Sequence, residues 1–467
     1  MKTLPPIKAT AEQLPLISQN RFGVEVIRGA AGSGKTSTAL LRLRSLSYMF
    51  EERLQREGIN RPVRILVLTF NRTLKGYVTA LAEEQIKNVG STILIDTFAA
   101  WAVSVLGNRD ILSDEKRESF IRAQRHDTAL TSDYLVKEVD YLLGRFAEAD
   151  IDSYLTAERT GRGLAPRVDR EAREKILNNV VRPYAAWKSA NNLSDWNDLA
   201  VEMSKTQRKQ HLDIVVVDEA QDFSANQLRA IAHHIAGDHA VTFVIDTVQR
   251  IYARGFTWQE TGFEIRANRY HTLKANHRNT VEIAKFAAGV LDGLAVDDDG
   301  ALPNLQAAAR HGATPILLRG KYSAQLKWAT DYIKKHIDLN TESVGFLQPA
   351  GKGFLDPLKA HLAAQKLPFV DITRKPDWPI GPVNIAVSTF HSAKGLEFDH
   401  VFILGLSTAN THKVDEASDD QISVMRRLFA VAIARARETV ILGCKGGEES
   451  FLVDHLKTGT FTSLNVP

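Results

Sequence analysis

Eight consecutive residues, Gly29, Ala30, Ala31, Gly32, Ser33, Gly34, Lys35 and Thr36, have the types and spacing of a phosphate-binding loop. Glycines at these intervals let successive backbone N–H groups turn toward one anion. Lys35 reaches the outer phosphates of a nucleoside triphosphate, and Thr36 can hold Mg²⁺. The apolar run Val24 to Arg28 precedes the loop, and Ser37 to Leu46 follows it with helical character, so the positive end of a helix adds to the cradle. Such a loop needs a carboxylate at the end of another strand. The stretch from Leu212 to Asp222 supplies it, as an apolar run that ends in Asp218 and Glu219. Asp218 would bind Mg²⁺ while Glu219 orients and activates water, which points to a nucleotide hydrolase. A kinase of small molecules transfers to its substrate and has no use for a water-activating glutamate beside the metal ligand.

Positioning these groups takes strands that end where the chemistry begins. Short β-branched and aliphatic runs recur at 24–28, 64–69, 92–96, 214–218 and 241–246, each followed by a helix-like stretch. A second set lies at 315–318, 343–347, 369–372, 383–388, 400–404 and 439–442. Continuous apolar strands alternating with helices predict parallel sheets covered on both faces, hence an α/β fold of two similar domains. Residues 102–205 carry almost no strand signal and show helical periodicity over 134–146 and 172–190, so a helical insertion inside the first domain is predicted. The first domain then spans 1–101 and 206–265 and the second spans 266–467, with the proline-rich segment 374–382 as a short rigid connection. The acidic segment 296–300 and the basic segment 204–209 read as solvated turns.

Hydrophobic residues at 44% and charged residues at 24% exclude a disordered or fibrous chain. The net charge of +4 permits contact with a polyanion without demanding one. Cys444 is the single cysteine, which rules out an internal disulfide and a cysteine zinc site; it is expected to be a small buried residue, and no structural metal is expected. Pro5 and Pro6 stand where a signal peptide would need its apolar region, and no apolar run approaches the ~18 residues of a membrane span. A cytoplasmic protein with no membrane partner is expected. No repeat of about 20 to 50 residues is visible, which excludes a solenoid.

Further stretches match one family in its own order: Gln13, Leu68 to Arg72, Thr97 and Phe98, Asp218 to Asp222, Gln249 within Ile245 to Tyr252, Ala275 to Thr280, His391 to Phe398, and Ala432 to Arg437. With them the chain resembles the superfamily-1 DNA helicases of the UvrD, Rep and PcrA type. The resemblance implies two recA-like domains with ATP and Mg²⁺ in the cleft between them, and Thr36 and Asp218 as the metal ligands. It implies Arg278 and Arg435 as cations that meet the γ-phosphate when the cleft shuts, and Gln249 as the γ-phosphate sensor. Gln13 would read adenine, Gly395 and Glu397 would lie at the ribose, and Ser37 and His277 would flank the base. Both of the last two differ from the usual family residues, so a looser grip on adenine is expected. Ala434 and the pair Asp246 and Thr247 also depart from the family pattern.

On the DNA side the resemblance implies Phe70, Asn71, Phe98, Trp101, Tyr252, Trp258, His391 and Lys394, since a translocase holds any sequence by stacking and phosphate contacts; His391 and Lys394 would contact backbone phosphate or relay the ATP state. A lone aromatic is more often core than platform, which weighs against Phe98 and Trp101 and leaves Tyr252 and Trp258 as the stronger stacking candidates. The stretch from His391 to Phe398 belongs to the branch that moves 3′ to 5′. The interval from Gln249 to His391 is mostly taken up by the strands and helices of the second sheet domain itself, and only the connection at 374–382 remains where relatives carry a large insertion. A compact form without that second-domain insertion is expected. Two functions follow from the resemblance. One is an ATP-driven 3′ to 5′ translocase or helicase on single-stranded DNA and 3′-tailed duplex. The other is a DNA-gated ATPase that serves a larger assembly, for example with a nuclease in repair or anti-phage defence.

Overall fold

The computed structural model describes the chain apart from residues 1–8, 30–31, 70–74, 76–77, 80–81, 83–84, 87–88, 125–129, 159–167, 247–255, 275, 277, 295–307, 309, 352, 374–378, 380 and 412–418. Two parallel sheets form its frame. The first contains β1 (Gly23–Gly29), β2 (Val63–Thr69), β3 (Ser91–Thr97), β4 (Leu212–Val217), β5 (Ile235–Asp246) and β6 (Tyr270–Leu273), in the order β3-β2-β4-β5-β1-β6. The second contains β7 (Ile316–Arg319), β8 (Val344–Gln348), β9 (Val370–Asp371), β10 (Ile385–Thr389), β11 (Phe398–Leu406), β12 (Ala436–Cys444) and β13 (Thr462–Asn465), in the order β13-β7-β12-β11-β8-β10-β9.

Alternation along the strands sends neighbouring side chains to opposite faces. Ile65 and Val67 of β2 join Leu40 and Leu43 of the Lys35–Arg56 helix on one face, whereas Leu66 and Leu68 join Leu228 and Ile231 of the Ala225–His234 helix on the other. Every residue of β4 is buried, as befits a strand with helices over both faces. The apolar cluster that contains Ile27 and Val67 continues through Phe286 to Phe429 and Ile403, so the two sheet domains share buried surface.

Between β3 and β4 the regular elements among the described residues are helices, and Asp114–Ala123, Ser132–Arg145, Arg170–Ile176 and the turn Leu177–Val181 that continues it enclose a core of their own. Thr131 caps the second of these by accepting from Tyr134 N. The expected limits of the insertion, 102–205, are too wide. The Phe98–Leu106 and Trp196–Met203 helices bury Ala102, Val105, Leu199 and Met203 in the first sheet's core.

The expected boundary at 265/266 also needs correction, because β6 pairs with β1 in parallel, from Val26 opposite Tyr270 to Gly29 opposite Leu273. Glu25 fastens this edge: it is 1% exposed and accepts hydrogen bonds from Arg21 Nε at 2.6 Å, Arg269 Nη1 at 2.5 Å and His271 Nε2 at 2.7 Å. Burial alone would raise its pKa, but these donors and the Arg42 charge hold it at about 2. Strand β13 was likewise not anticipated. Cys444 ends β12, fully buried. Only the segment 372–384 joins β9 to β10, too short a stretch for a further subdomain.

Candidate nucleotide site between the two sheets

Two glycines of the loop after β1 sit where any side chain would be strained and crowded. Gly34 has φ 78°, and a Cβ there would lie 2.4 Å from Gln13 Nε2; Gly32 has φ 85°, and a Cβ would lie 2.5 Å from Asn276 Oδ1 and 2.8 Å from Arg278 Cβ. The second-domain turn that carries Arg278 therefore sits directly against the loop. Gln13 donates through Nε2 to Ser33 O at 3.3 Å and accepts from Thr10 N at 3.0 Å, so it braces the loop backbone. Lys35 Nζ donates to Gly29 O at 2.9 Å, and the Ser33 hydroxyl is buried without a hydrogen-bond partner. Ser37 lies in the first turn of the Lys35–Arg56 helix, while Ala30 and Ala31 lie outside the described residues.

Thr36 and Asp218 face one another. The threonine hydroxyl lies 3.1 Å from Oδ1 and 3.0 Å from Oδ2 of the carboxylate. Asp218 follows β4 and donates its backbone N–H to Leu68 O at 2.9 Å, which ties it to the neighbouring strand. Burial, and then the adjacent Glu219 charge, push the Asp218 carboxyl up to about 7. Glu219 sits at φ 53°, a left-handed conformation that costs a non-glycine residue about 1 to 2 kcal/mol and marks a position held by its surroundings. Gln221 Nε2 donates to its Oε2.

The second sheet brings three cations to the same place. Lys394 pairs with Asp222 and lies 3.2 Å from Glu219 Oε2. Arg435 is buried at the end of the Asp419–Ile433 helix, with Nη1 donating to Leu396 O at 3.4 Å. Arg278 pairs through Nη2 with Glu397, while its Nε and Nη1 are buried without a hydrogen bond. Burial would raise the pKa of Glu219, but Lys394, Arg435 and Lys35, together with the Gln221 bond, outweigh it and hold the group below the ordinary carboxylate value. A carboxylate kept charged beside a phosphate cradle, facing cations from a second domain, is equipped to activate water against a phosphoryl group.

Residues 11–259 match the UvrD/REP helicase N-terminal domain, and residues 377–445 match the UvrD-like helicase C-terminal domain. The first match alone covers more than half of the chain. The chain belongs to the UvrD/REP helicase family. It is 27% identical over 456 residues to a probable DNA helicase of Mycoplasma pneumoniae, covering 90% of this chain and 80% of that protein. It is 22% identical over 342 residues to a probable DNA helicase II homolog of the same organism, covering 67% of this chain and 46% of the relative. Among solved structures, S. cerevisiae Dbp5 bound to RNA and ADP BeF3 overlays with a TM-score of 0.44 at 10% identity, covering 98% of this chain and 90% of that one.

For this UvrD-like chain the expected DNA contacts divide. Trp101 is 1% exposed and packs edge-to-face against Phe98 at 5.5 Å and His234 at 5.2 Å, so Trp101 and Phe98 are core and offer no face to a base. Lys394 is buried among the carboxylates of the nucleotide site, a place that suits the relay expected of it and not a phosphate contact. Trp258 is half-buried, its ring centroid 4.7 Å from that of Phe243, and His391 is exposed. Gly395 takes φ 83° in the turn between Lys394 and Leu396. Glu397 is paired with Arg278. Phe70, Asn71, Gln249, Tyr252 and His277 lie outside the described residues.

Sequence reasoning assigned no role to Asn276, Asn279, Gln221 or Asp222. All four lie in the quoted stretches 218–222 and 275–280, and the signal in the first was a third acid, three positions after Glu219.

Proposed function

We propose that this chain is an ATP-driven 3′ to 5′ translocase on single-stranded DNA that hydrolyses ATP between its two sheets. The observation that carries the reading is Glu219, a first-domain carboxylate set among Lys35 of its own domain and Lys394 and Arg435 of the other. The loop fits a nucleotide: its glycines are crowded, the Ser33 hydroxyl is unpartnered, and Arg278 keeps two buried nitrogens without acceptors. Thr36 and Asp218 would hold Mg²⁺, which when bound draws charge off the β- and γ-phosphates. Glu219 accepts the proton of the attacking water. Lys35, Arg278 and Arg435 stabilise the charge that builds on the transferred group. Because two of these cations come from the second sheet, turnover is tied to closure of the cleft, and closure supplies the step along DNA.

Trp258 and the exposed His391 supply contacts along the strand. The 3′ to 5′ direction is supported by the stretch from His391 to Phe398. The short connection between β9 and β10 favours a second reading of the same motor. In it the chain displaces strands poorly alone and drives a larger assembly that contains a partner such as a nuclease. Its place of work on this reading is the cytoplasm; among the described residues no helix is long and apolar enough to cross a membrane.

The test is ATP turnover with and without single-stranded DNA or RNA, followed by strand displacement from duplexes with a 3′ or a 5′ tail. DNA-stimulated turnover with translocation toward the 5′ end is expected. Turnover indifferent to DNA, or movement in the other direction, would sink the reading.

A further inference from the structure

Arg278 and Arg435 lie far apart in the chain, yet one side chain joins the backbones that carry them. Asn279 is 2% exposed, and its Nδ2 donates to Ala434 O at 3.0 Å and to Ala436 O at 2.6 Å, the two carbonyls that flank Arg435. Two carbonyls can only accept, so they fix the orientation of this amide and leave its oxygen facing the other way. There Asn276 Nδ2 donates to Asn279 Oδ1 at 3.1 Å. The remaining oxygen, Asn276 Oδ1, accepts from the backbone N–H groups of Arg278 and Asn279, both at 3.1 Å. Every polar atom of both amides is engaged in a buried, closed network of the kind that permits a single arrangement. The same Asn276 oxygen is the atom that a Cβ on Gly32 would strike.

From this geometry we propose that Asn279 is a positioning residue that sets Arg278 and Arg435 as one unit against the phosphate loop. The inference rests on the ATPase reading above. By pinning the carbonyl on each side of Arg435, Asn279 fixes the direction in which that side chain leaves the backbone. Its own backbone is bound, together with that of Arg278, to Asn276. Neither arginine can then shift without the other. On the solvent side Arg310 makes a second, exposed tie, with Nη2 donating to Arg278 O at 2.9 Å and Arg437 O at 2.7 Å. An asparagine suits the inner position because its NH₂ offers two donors on a short stem; serine offers one and alanine none.

The experiment uses the full chain with saturating single-stranded DNA and measures kcat and KM for ATP in Asn279→Ala, Arg435→Ala and the double variant, with melting temperatures. A displaced catalytic group costs about 10- to 100-fold, so Asn279→Ala should lower kcat by that factor while KM changes less than about threefold. In the Arg435→Ala background the same substitution should lower kcat by a clearly smaller factor than in the wild type, since only Arg278 is left for it to position. An equal loss in both backgrounds would show a general structural role and overturn the inference. If Asn279→Ala does not fold, Asn279→Ser, which keeps one donor, decides the matter: a kcat lowered about three- to tenfold at unchanged KM supports the inference, and wild-type kcat overturns it. Loss of turnover in Arg435→Ala with wild-type turnover in Asn279→Ala overturns the inference and leaves the ATPase reading standing. Normal turnover in Arg435→Ala overturns both.

Discussion

The two sheets contribute differently to one site. The first supplies the cradle, with loop, lysine, threonine and both carboxylates at the ends of β1 and β4. The second supplies cations from three separate places, the turn before the Val281–Val290 helix, the turn before β11 and the end of the Asp419–Ile433 helix. Outside the cleft they differ again. The first sheet carries helices with a core of their own between β3 and β4, whereas the second returns from β9 to β10 through the short segment 372–384. On the proposed reading, hydrolysis needs only the facing ends of the strands, and whatever else a sheet carries is available for holding DNA.

The contrast between cradle and cations is sharpest in turnover. Lys35→Ala and Glu219→Gln should each abolish ATP hydrolysis, with nucleotide binding retained in Glu219→Gln because Thr36 and Asp218 remain; equilibrium binding of a fluorescent nucleotide beside a phosphate-release assay checks both halves. Arg278→Ala and Arg435→Ala should lower turnover by about 10³-fold, the scale of an arginine that meets the transferred phosphoryl group, and leave single-stranded DNA affinity near wild type. If either variant turned over normally and lost DNA binding instead, that arginine would belong to the strand and the division of labour would break.

Outside the cleft, the short β9 to β10 connection predicts translocation on single strands with poor displacement of duplex by a monomer. A single-turnover assay on 3′-tailed duplex with a trap strand, run beside translocation on unpaired DNA, reads this, and efficient displacement by a demonstrated monomer contradicts it. Trp258→Ala should weaken single-stranded DNA binding by about 1 to 3 kcal/mol while DNA-independent hydrolysis survives, as fluorescence anisotropy and turnover would show.

The smallest effect concerns the edge of the first sheet. Glu25 has a folded pKa of about 2 against an ordinary 4.5, so its stabilisation is complete above 4.5 and is lost as pH falls through the folded value. Glu25→Gln should cost about 2 to 3 kcal/mol near neutral pH, and its melting curve should approach that of wild type as pH drops toward 2. A deficit that persists unchanged at low pH would show that packing, not charge, holds β6 in place.

Much of this frame was legible because strands buried on both faces read as unbroken apolar runs, as Ile214 to Val217 do. The cradle was legible for a related reason: its chemistry lies in consecutive residues. Strands β6 and β13 were missed since each is a short strand at a sheet edge, and the residues of β13 are all exposed, so neither carries the apolar signal. The cation side was legible in residue type but not in contact. Lys394 and Asp222 are 172 positions apart, and Asn279 and Ala434 are 155 apart, distances over which a sequence pattern carries no register. Trp101 shows a further limit, because a ring that stacks on bases and a ring that fills a core leave the same letter in the chain.

Cys444 has a practical consequence. It is the single thiol of the chain, it has no exposed surface, and burial pushes its pKa above the ordinary thiol value, so little thiolate is presented to an alkylating dye. The unmodified protein is thus a dark background for maleimide chemistry. Cysteines introduced at the exposed positions Gln55 and Lys335, one on each sheet domain, would take a donor and an acceptor fluorophore without removing any native residue of the site. Energy transfer between them would then show whether the cleft opens and shuts with each nucleotide consumed.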